Sequence, residues 1–325
     1  MYKVNFHLQT VTPLFLTGAD GLTPELRVAS MRGCTRFWLR ALLGARCGAN
    51  TGLLRSLEST VLGDTGTASA VTLRIRAPVL DTISTKVLPH STQKTFSQLA
   101  FATKSTFTLS ASPRLGLSAL PVTTIPMLLL LFYLGGIGKR SRRGFGSLKL
   151  TSCLAPPETL DRPTEIMLAF QPDSGEMLAT YLKKMLNWTL NTATNVVPTT
   201  GRPYPSGRIP DYPVLSPHHA KVLVCKTPFS STNYLDAMEK FWQILRSNRY
   251  RDERAYGFAG RGERRASPLL LHIHQTAEGH HLVLTAFRSL PSPAGIEGWT
   301  RLHGLLEECR HQWQGEYVFG GGVAW

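Results

Sequence analysis

The chain has 325 residues, of which 42% are hydrophobic, so it is not a disordered chain and has material for about two domains. It carries 36 Lys and Arg against 21 Asp and Glu, which gives a net charge of +15 at pH 7. This excess predicts a polyanionic partner, with nucleic acid ahead of an anionic membrane. The alternative is a generic basic surface with no specific partner.

Cysteine usage and hydropathy bear on the compartment. The chain has 5 cysteines and no CxxC pair, so it predicts neither a disulfide framework nor a zinc site. The opening "MYKVNFHLQTVTPLFL" alternates like a strand and does not resemble a secretory signal. The apolar run over 125–134 is far shorter than the ~20 residues of a membrane span. We therefore expect a soluble, reduced, cytoplasmic protein with no membrane partner.

The first half of the chain predicts a mixture of strands and helices. Ser30 is a plausible N-cap for a helix that ends near Arg46, in which Met31, Trp38 and Leu42 recur on one face. The predicted elements are a strand over 2–10, that helix, strands over 70–80 and 105–112, a helix over 125–138 and a strand over 145–154.

A second set of elements follows a segment rich in proline and acidic residues, 155–165, which we interpret as an inter-domain joint. The predicted elements after it are strands over 166–172 and 220–228, a helix over 233–248, paired strands over 266–276 and 279–290, and a helix over 295–313. Because strands and helices mix in both halves, we expect two α+β domains, 1–158 and 159–325, each a small sheet with helices on one face.

The segment "GGIGKRSRRGFG", residues 135–146, combines five glycines with four Lys or Arg residues. It is not a Walker loop, because Arg140 follows Gly138-Lys139 where Ser or Thr is needed. It is not a dinucleotide fingerprint, because Ser141 occupies the third glycine position. Four clustered cations suit a run of phosphates, whereas an exposed turn with solvated charges is the competing interpretation.

A second basic segment, "PELRVASMRGCTRFWLRALLG", covers residues 24–44. Ser30, Arg32 and Gly33 are predicted at a helix N-terminus, where free N–H groups and the helix dipole favour an anion. Arg32, Arg36 and Arg40 follow at i, i+4 and i+8, so they share one face. An ordinary amphipathic helix is the alternative, although no acidic residue lies at i±4 to pair with these arginines.

A third basic segment covers residues 249–273. Tyr250, Tyr256 and Phe258 interleave with its arginines, so bases could stack where phosphates are neutralised. Local salt bridges to its three acidic residues are the competing account. The arginines are Arg249, Arg251, Arg254, Arg261, Arg264 and Arg265, and the segment then enters a strand at Ser267.

Signs of catalysis are weak. The ten histidines are scattered, and no HExxH, G-x-S-x-G or paired-Asp metal motif occurs. His272 and His274 alternate on one face of a predicted strand, which favours structural or surface positions over metal ligation. We therefore expect no cofactor, no metal and no catalytic residue.

Three segments together resemble one family. "ELRVASMRGCTRFWLRALLG", "GGIGKRSRRGFGSLKL" and "RRASPLLLHI" are similar to motifs of the largest RAMP (repeat-associated mysterious protein) subunit, which caps the head of type III-B CRISPR effector complexes. The resemblance implies two tandem ferredoxin-like domains related to the RNA recognition motif. It also implies a non-catalytic, RNA-binding subunit near the 3′ region of the CRISPR RNA, which helps capture target RNA in antiviral defence with other RAMP subunits.

The same resemblance implies an RNA-binding surface drawn from all three segments. Two alternatives stay open: a metal-independent RAMP endoribonuclease that processes CRISPR RNA, with His7 or His90 as general base, and a basic membrane-surface or scaffold protein. The implied RNA-binding residues are Arg27, Ser30, Arg32, Gly33, Arg36, Arg40, Gly135, Gly136, Gly138, Lys139, Arg140, Arg142, Arg143, Gly144, Gly146, Arg261, Arg264, Arg265 and Ser267.

Overall fold

A computed structural model of the chain describes residues 3–87, 97–156, 162–247, 254–259, 264–290, 295–323 and 325. Within those ranges no helix is both long enough and apolar enough to cross a bilayer. All five cysteines are free thiols, in agreement with the sequence-based expectation of no disulfide framework.

The first half forms a four-stranded antiparallel sheet in the order β2–β5–β1–β6. A separate hairpin, β3–β4, is inserted between β2 and β5. The elements are β1 (Val4–Thr10), α1 (Val28–Cys47), α2 (Thr51–Leu62), β2 (Val71–Arg76), β3 (Thr82–Lys86), β4 (Ser97–Phe101), β5 (Thr106–Pro113), α3 (Thr124–Leu134) and β6 (Leu148–Leu154).

The second half forms another four-stranded antiparallel sheet in the order β10–β11–β7–β12. Two helices precede this sheet, and a short pair of strands, β8–β9, lies before β10. The elements are α4 (Arg162–Ala169), α5 (Gly175–Val196), β7 (Ala220–Cys225), α6 (Tyr234–Arg246), a 3-10 turn (Arg254–Tyr256), β8 (Phe258–Ala259), β9 (Arg264–Arg265), β10 (Leu269–Gln275), β11 (His280–Phe287), α7 (Gly295–Gln312) and β12 (Gly315–Phe319).

Both sheets follow one topology. Without the inserted hairpins, α2 and the two helices α4 and α5 that precede the second sheet, each half reads β-α-β-β-α-β, and the fourth strand lies beside the first at one edge. This is the ferredoxin-like arrangement, so the expected α+β class with two ferredoxin-like units in tandem is confirmed. Alternation sets the faces of the first sheet: Val4, Phe6 and Leu8 are buried, and the residues between them are half-buried.

The two units share one core. All 11 residues of α3 are buried, because this helix lies between β6 of the first sheet and β10 and β11 of the second. Helix α5 packs on α1, α3, β7 and β12. Helices α6 and α7 pack on the opposite face of the second sheet. This sheet is therefore covered on both faces, which explains why every residue of β7 and β11 is buried. The expectation of helices on one face only is wrong for this sheet.

The structure corrects three further expectations. Residues 166–172 do not form a strand, because 162–169 are helical; a short apolar run cannot be assigned by periodicity alone. Helices α2 and α5 were not predicted. Ser30 is not an N-cap, since α1 begins at Val28 with Arg27 as its N-cap and no side-chain capping bond. The predicted domain boundary at 158 and 159 lies outside the described residues.

Candidate nucleic-acid interface

The glycine-rich loop, residues 135–146, connects α3 to β6 and is bound to the second unit. The backbone N–H of Leu271 in β10 donates to the carbonyl of Arg142 at 3.2 Å. The N–H of Ile273 donates to Oγ of Ser147 at 3.0 Å, and that hydroxyl donates to the carbonyl of Gly144 at 3.0 Å. The loop therefore joins the two sheets, rather than forming a free turn.

Most of the loop's glycines are buried against the protein itself. Gly135, Gly136, Gly144 and Gly146 are buried, and only the stretch from Gly138 to Arg143 reaches the surface. Gly138 has φ +84°, and a Cβ there would lie 2.4 Å from the carbonyl oxygen of Phe15. The bare backbone at this position is thus required by intramolecular packing, whether or not a ligand approaches.

Two of the loop's arginines bind the second unit. Arg142 donates to the carbonyl of Ser267, and its guanidinium lies 5.3 Å from the ring centroid of Phe37. Arg143 donates to the carbonyl of Tyr256 and lies 5.2 Å from the ring centroid of Trp242. Burial, together with the charges of Arg140 and Arg142, lowers the pKa of Arg143 to about 10. These two side chains fix the joint between the units.

The other two cations of the loop are exposed. Lys139 is held by its backbone N–H to the carbonyl of Phe15 at 2.8 Å, and its Nζ donates to the carbonyl of Gly21 at 3.2 Å. Arg140 has φ +64°, and its guanidinium has no ion pair or hydrogen bond to any other described residue. The loop thus has an exposed cationic tip, Lys139 and Arg140, and a part that is bound to the second unit through Arg142 and Arg143.

The arginines on one face of α1, Arg32, Arg36 and Arg40, contact α2, and two of them bind an acidic residue on that helix. Glu58 of α2 is buried and accepts hydrogen bonds from both Arg36 and Arg40, with Arg40 Nη2 3.0 Å from Oε1. Arg36 also donates to the carbonyl of Gly63 at 2.9 Å, and Arg32 reaches the carbonyl of Leu62 at 3.4 Å. The three arginines therefore join α1 to α2. Glu58 is their acidic partner, which the sequence analysis did not identify.

The first turns of α1 lie beside the glycine-rich loop. Gly33 is exposed, and a Cβ built there would meet no atom within 4 Å. Arg27 is only weakly engaged, 3.9 Å from Glu25. A pocket opens where the first basic segment, the loop and β10 meet, and it is lined by Ser30, Gly33, Cys34, Phe37, Trp38, Gly135, Gly136, Ser141, Arg142 and Leu270.

Few side chains of the third basic segment are described by the structure. Arg261 lies outside the described residues, and Arg264 and Arg265 are described only by their backbone in β9. Ser267 is buried, and its carbonyl holds Arg142. Tyr256 is also buried and donates its hydroxyl to the carbonyl of Arg301 at 3.0 Å, so its predicted stacking on a base is wrong.

The two histidines of β10 occupy structural positions. His272 and His274 are buried in β10, and Nδ1 of His272 donates to the carbonyl of Gly135 at 2.7 Å. Burial lowers the pKa of His272 to about 4. His7 is half-buried on β1, and His90 lies outside the described residues. No group of three potential metal ligands occurs in the part of the chain that the structure describes.

The fold and the loop define a class of protein: two ferredoxin-like units joined through a glycine-rich loop that is buried on one side and cationic on the other. Residues 7–149 match the family model of the RAMP superfamily. Over these residues the chain is similar to the RAMP superfamily, in agreement with the resemblance stated for its first two segments.

Two curated relatives from Pyrococcus furiosus are similar in sequence. The CRISPR system Cmr subunit Cmr1-2 is 42% identical over 74 residues, which are 23% of this chain and 40% of that protein. The subunit Cmr1-1 is 28% identical over 205 residues, 58% of each chain. The chain thus spans about half the length of the curated relatives it matches.

Two solved structures show the same fold over nearly the whole chain. The crystal structure of Cmr1 from Pyrococcus furiosus in its apo form gives a TM-score of 0.69 at 19% identity, covering 99% of this chain and 100% of that one. A chain of the type III-B Cmr-beta complex, bound to cognate target RNA and AMPPnP, gives a TM-score of 0.64 at 13% identity, covering 96% and 99%.

Proposed function

We propose that the chain is a non-catalytic, RNA-binding subunit of a type III-B CRISPR effector complex. It caps the head of the complex near the 3′ region of the CRISPR RNA, contacts other RAMP subunits and helps capture target RNA in antiviral defence. We place it in the cytoplasm and divide it into units 1–158 and 159–325. The similarity to Cmr1 chains and to a chain of the Cmr-beta complex supports this proposal.

The observation that carries the proposal is the meeting of two basic segments at one pocket. The first turns of α1 and the glycine-rich loop are about 100 residues apart in sequence, yet they line the same pocket together with Leu270 of the second unit. A helix N-terminus and a cationic loop tip both favour phosphate. Sequence specificity then comes from pairing between guide and target, so this surface needs only to hold the backbone.

We assign different tasks to the predicted RNA-binding residues according to their contacts. We assign phosphate contacts to Arg140, which has no hydrogen bond or ion pair among the described residues, and to Arg27 and Lys139, each of which has a single side-chain contact within the protein. Ser30 and Gly33 of α1 line the pocket. The remaining arginines with described side chains shape this surface through contacts within the protein; they are Arg32, Arg36, Arg40, Arg142 and Arg143.

The test is a salt series of binding to single-stranded RNA by the full chain, in EDTA. The double variant Lys139→Gln/Arg140→Gln should weaken binding, and the slope of log K against log salt should fall by about 1.4 if two phosphate contacts are lost. The control is Arg114→Gln/Lys184→Gln, which removes two exposed cations away from the pocket. An unchanged slope in the loop variant, or cleavage of the RNA by wild-type protein, contradicts the proposal.

A further inference from the structure

A second basic surface lies on the outer face of the first sheet. Strand register aligns Arg76, Thr108 and His7 in one row across β2, β5 and β1. The next row aligns Arg74 with Ser110 and Asn5 on the same three strands. Cross-strand neighbours on one face lie about 5 Å apart, so each row is continuous. We call this the outer sheet face.

The outer sheet face carries its own pocket. Its lining includes His7, Arg76, Thr106, Thr108 and Thr151. Nδ1 of His7 lies 3.1 Å from Oγ1 of Thr108, and the hydroxyl of Thr151 donates to the carbonyl of His7 at 3.0 Å. These contacts fix the imidazole within a hydroxyl-rich hollow beside an arginine.

The two arginines of the outer sheet face have no neutralising partner among the described residues. Arg74 and Arg76 are exposed, and neither forms an ion pair or hydrogen bond to another residue that the structure describes. Lys149 of β6 pairs in register with Gln9 and adds a third cation, which faces Asp173. The four strands of this sheet contain no Asp or Glu.

This surface contrasts with the arginines of α1 and the loop. Glu58, Ser267 and Tyr256 occupy four of the arginines that sequence reasoning assigned to RNA. These four arginines are engaged within the protein, whereas Arg74 and Arg76 join Lys139 and Arg140 among the exposed cations that are available to a polyanion. Their Cα atoms lie two strand positions apart, about 6.8 Å, so both can contact one extended backbone.

We propose that the outer sheet face binds the sugar–phosphate backbone of single-stranded RNA, as a second contact surface beside the pocket at the joint. Arg74 and Arg76 contact phosphates, and the hydroxyls around His7 contact ribose. The described strands present no Phe, Tyr or Trp on this face, because Phe6 and Phe107 point into the core. The contact is therefore independent of base sequence, unlike the stacking surface of an RNA recognition motif. The inference takes only the class of ligand from the proposed function.

The test compares charge-removing and charge-retaining variants in the full chain. Arg74→Gln/Arg76→Gln should lower the salt slope of RNA binding by about 1.4, equally for oligouridine and for a mixed sequence. Arg74→Lys/Arg76→Lys should keep the wild-type slope. Arg55→Gln/Lys184→Gln, which removes two exposed cations on α2 and α5, serves as the control. Thermal unfolding of both variants should match wild type, because the two side chains are exposed.

The outcomes separate this inference from the proposed function. A smaller salt slope in Arg74→Gln/Arg76→Gln supports the inference, whether or not the slope of Lys139→Gln/Arg140→Gln is also smaller. If the salt slope is smaller in Lys139→Gln/Arg140→Gln alone, RNA binds at the pocket at the joint and not at the outer sheet face, and the inference is overturned. No fall in either variant overturns both, and a loss confined to one base sequence also contradicts the backbone contact proposed for this face.

Discussion

The imidazole of His272 donates from Nδ1 to the carbonyl of Gly135, 2.7 Å away, across 137 residues of sequence. Gly135 ends α3 in the first unit, and His272 lies in β10 of the second. The same histidine neighbours His274, whose ring stacks on Tyr133 of α3 at 5.2 Å. The contact between the units thus includes buried, titratable side chains.

Acidification should destabilise this contact. Burial lowers the pKa of His272 from its ordinary 6.5 to about 4, and burial also lowers that of His274. The unfolded chain therefore binds more protons than the folded one below pH 6.5, so the stabilisation is fully present above pH 6.5 and is lost as the pH falls toward 4. Denaturant unfolding at pH 7.5, 6, 5 and 4 should show a progressive loss from His272, on the order of 3 kcal/mol by pH 4.

The variant His272→Asn tests the origin of that pH dependence. Its amide can donate to Gly135 but does not titrate, so its unfolding free energy should change less between pH 6.5 and 4 than that of wild type. His218→Gln is the matched control, since His218 is exposed. If the His272→Asn curve runs parallel to wild type, other groups cause the dependence.

Two glycines predict opposite effects of the same substitution. Gly144 has φ +89°, and a Cβ there would lie 3.0 Å from Cδ2 of Leu271 in the second unit. We expect Gly144→Ala to lower the free energy of unfolding by about 2 kcal/mol. Gly33 lies inside α1 with open space around it, so Gly33→Ala should raise it by about 0.5–1 kcal/mol. Denaturant titration of both variants checks the signs.

Arg142 and Arg143 should act through shape and not through contact with RNA. We expect both Arg142→Lys/Arg143→Lys and Arg142→Gln/Arg143→Gln to lower the free energy of unfolding by about 2 kcal/mol, because each loses the bonds to Ser267 and Tyr256. The salt slope of RNA binding should be the same in both. A smaller slope in the Gln variant alone would show that these arginines meet phosphates.

Glu58 should be essential for packing α1 on α2. Glu58→Gln removes a buried charge that two arginines share, and we expect it to lower the free energy of unfolding by about 2 kcal/mol. Arg40→Gln should cost less, because Arg40 is half-exposed, and it should leave the salt slope unchanged. A reduced slope in Arg40→Gln would return this residue to the RNA-binding surface.

Sequence patterns predicted most of the strands of the two four-stranded sheets and the helices α1, α3, α6 and α7, because alternation and 3.6-residue periodicity are local. Helix α2 was missed although its signals are present: Asn50 accepts from the N–H of Leu53 at 2.9 Å, and Leu54, Glu58 and Leu62 recur on one face. Helix α5 likewise begins at Ser174, which accepts from the N–H of Met177 at 3.1 Å.

The roles of the arginines were harder to predict, for a physical reason. A guanidinium can meet a phosphate, a carboxylate or a backbone carbonyl with the same geometry. Arg40 looked free because its acidic partner lies 18 residues along the chain on another helix. Arg142 looked free because its acceptor is a carbonyl 125 residues away. Only the tertiary fold distinguishes these partners from RNA.

Helix α3 has no exposed residue, and its neighbours come from both halves of the chain. Removing either half of the chain would expose a large apolar surface of α3 to water. Neither half is therefore a portable module that could be grafted onto another chain. A substitution that enlarges a side chain packed on α3 from one sheet therefore requires a compensating smaller side chain on the opposite side of the helix.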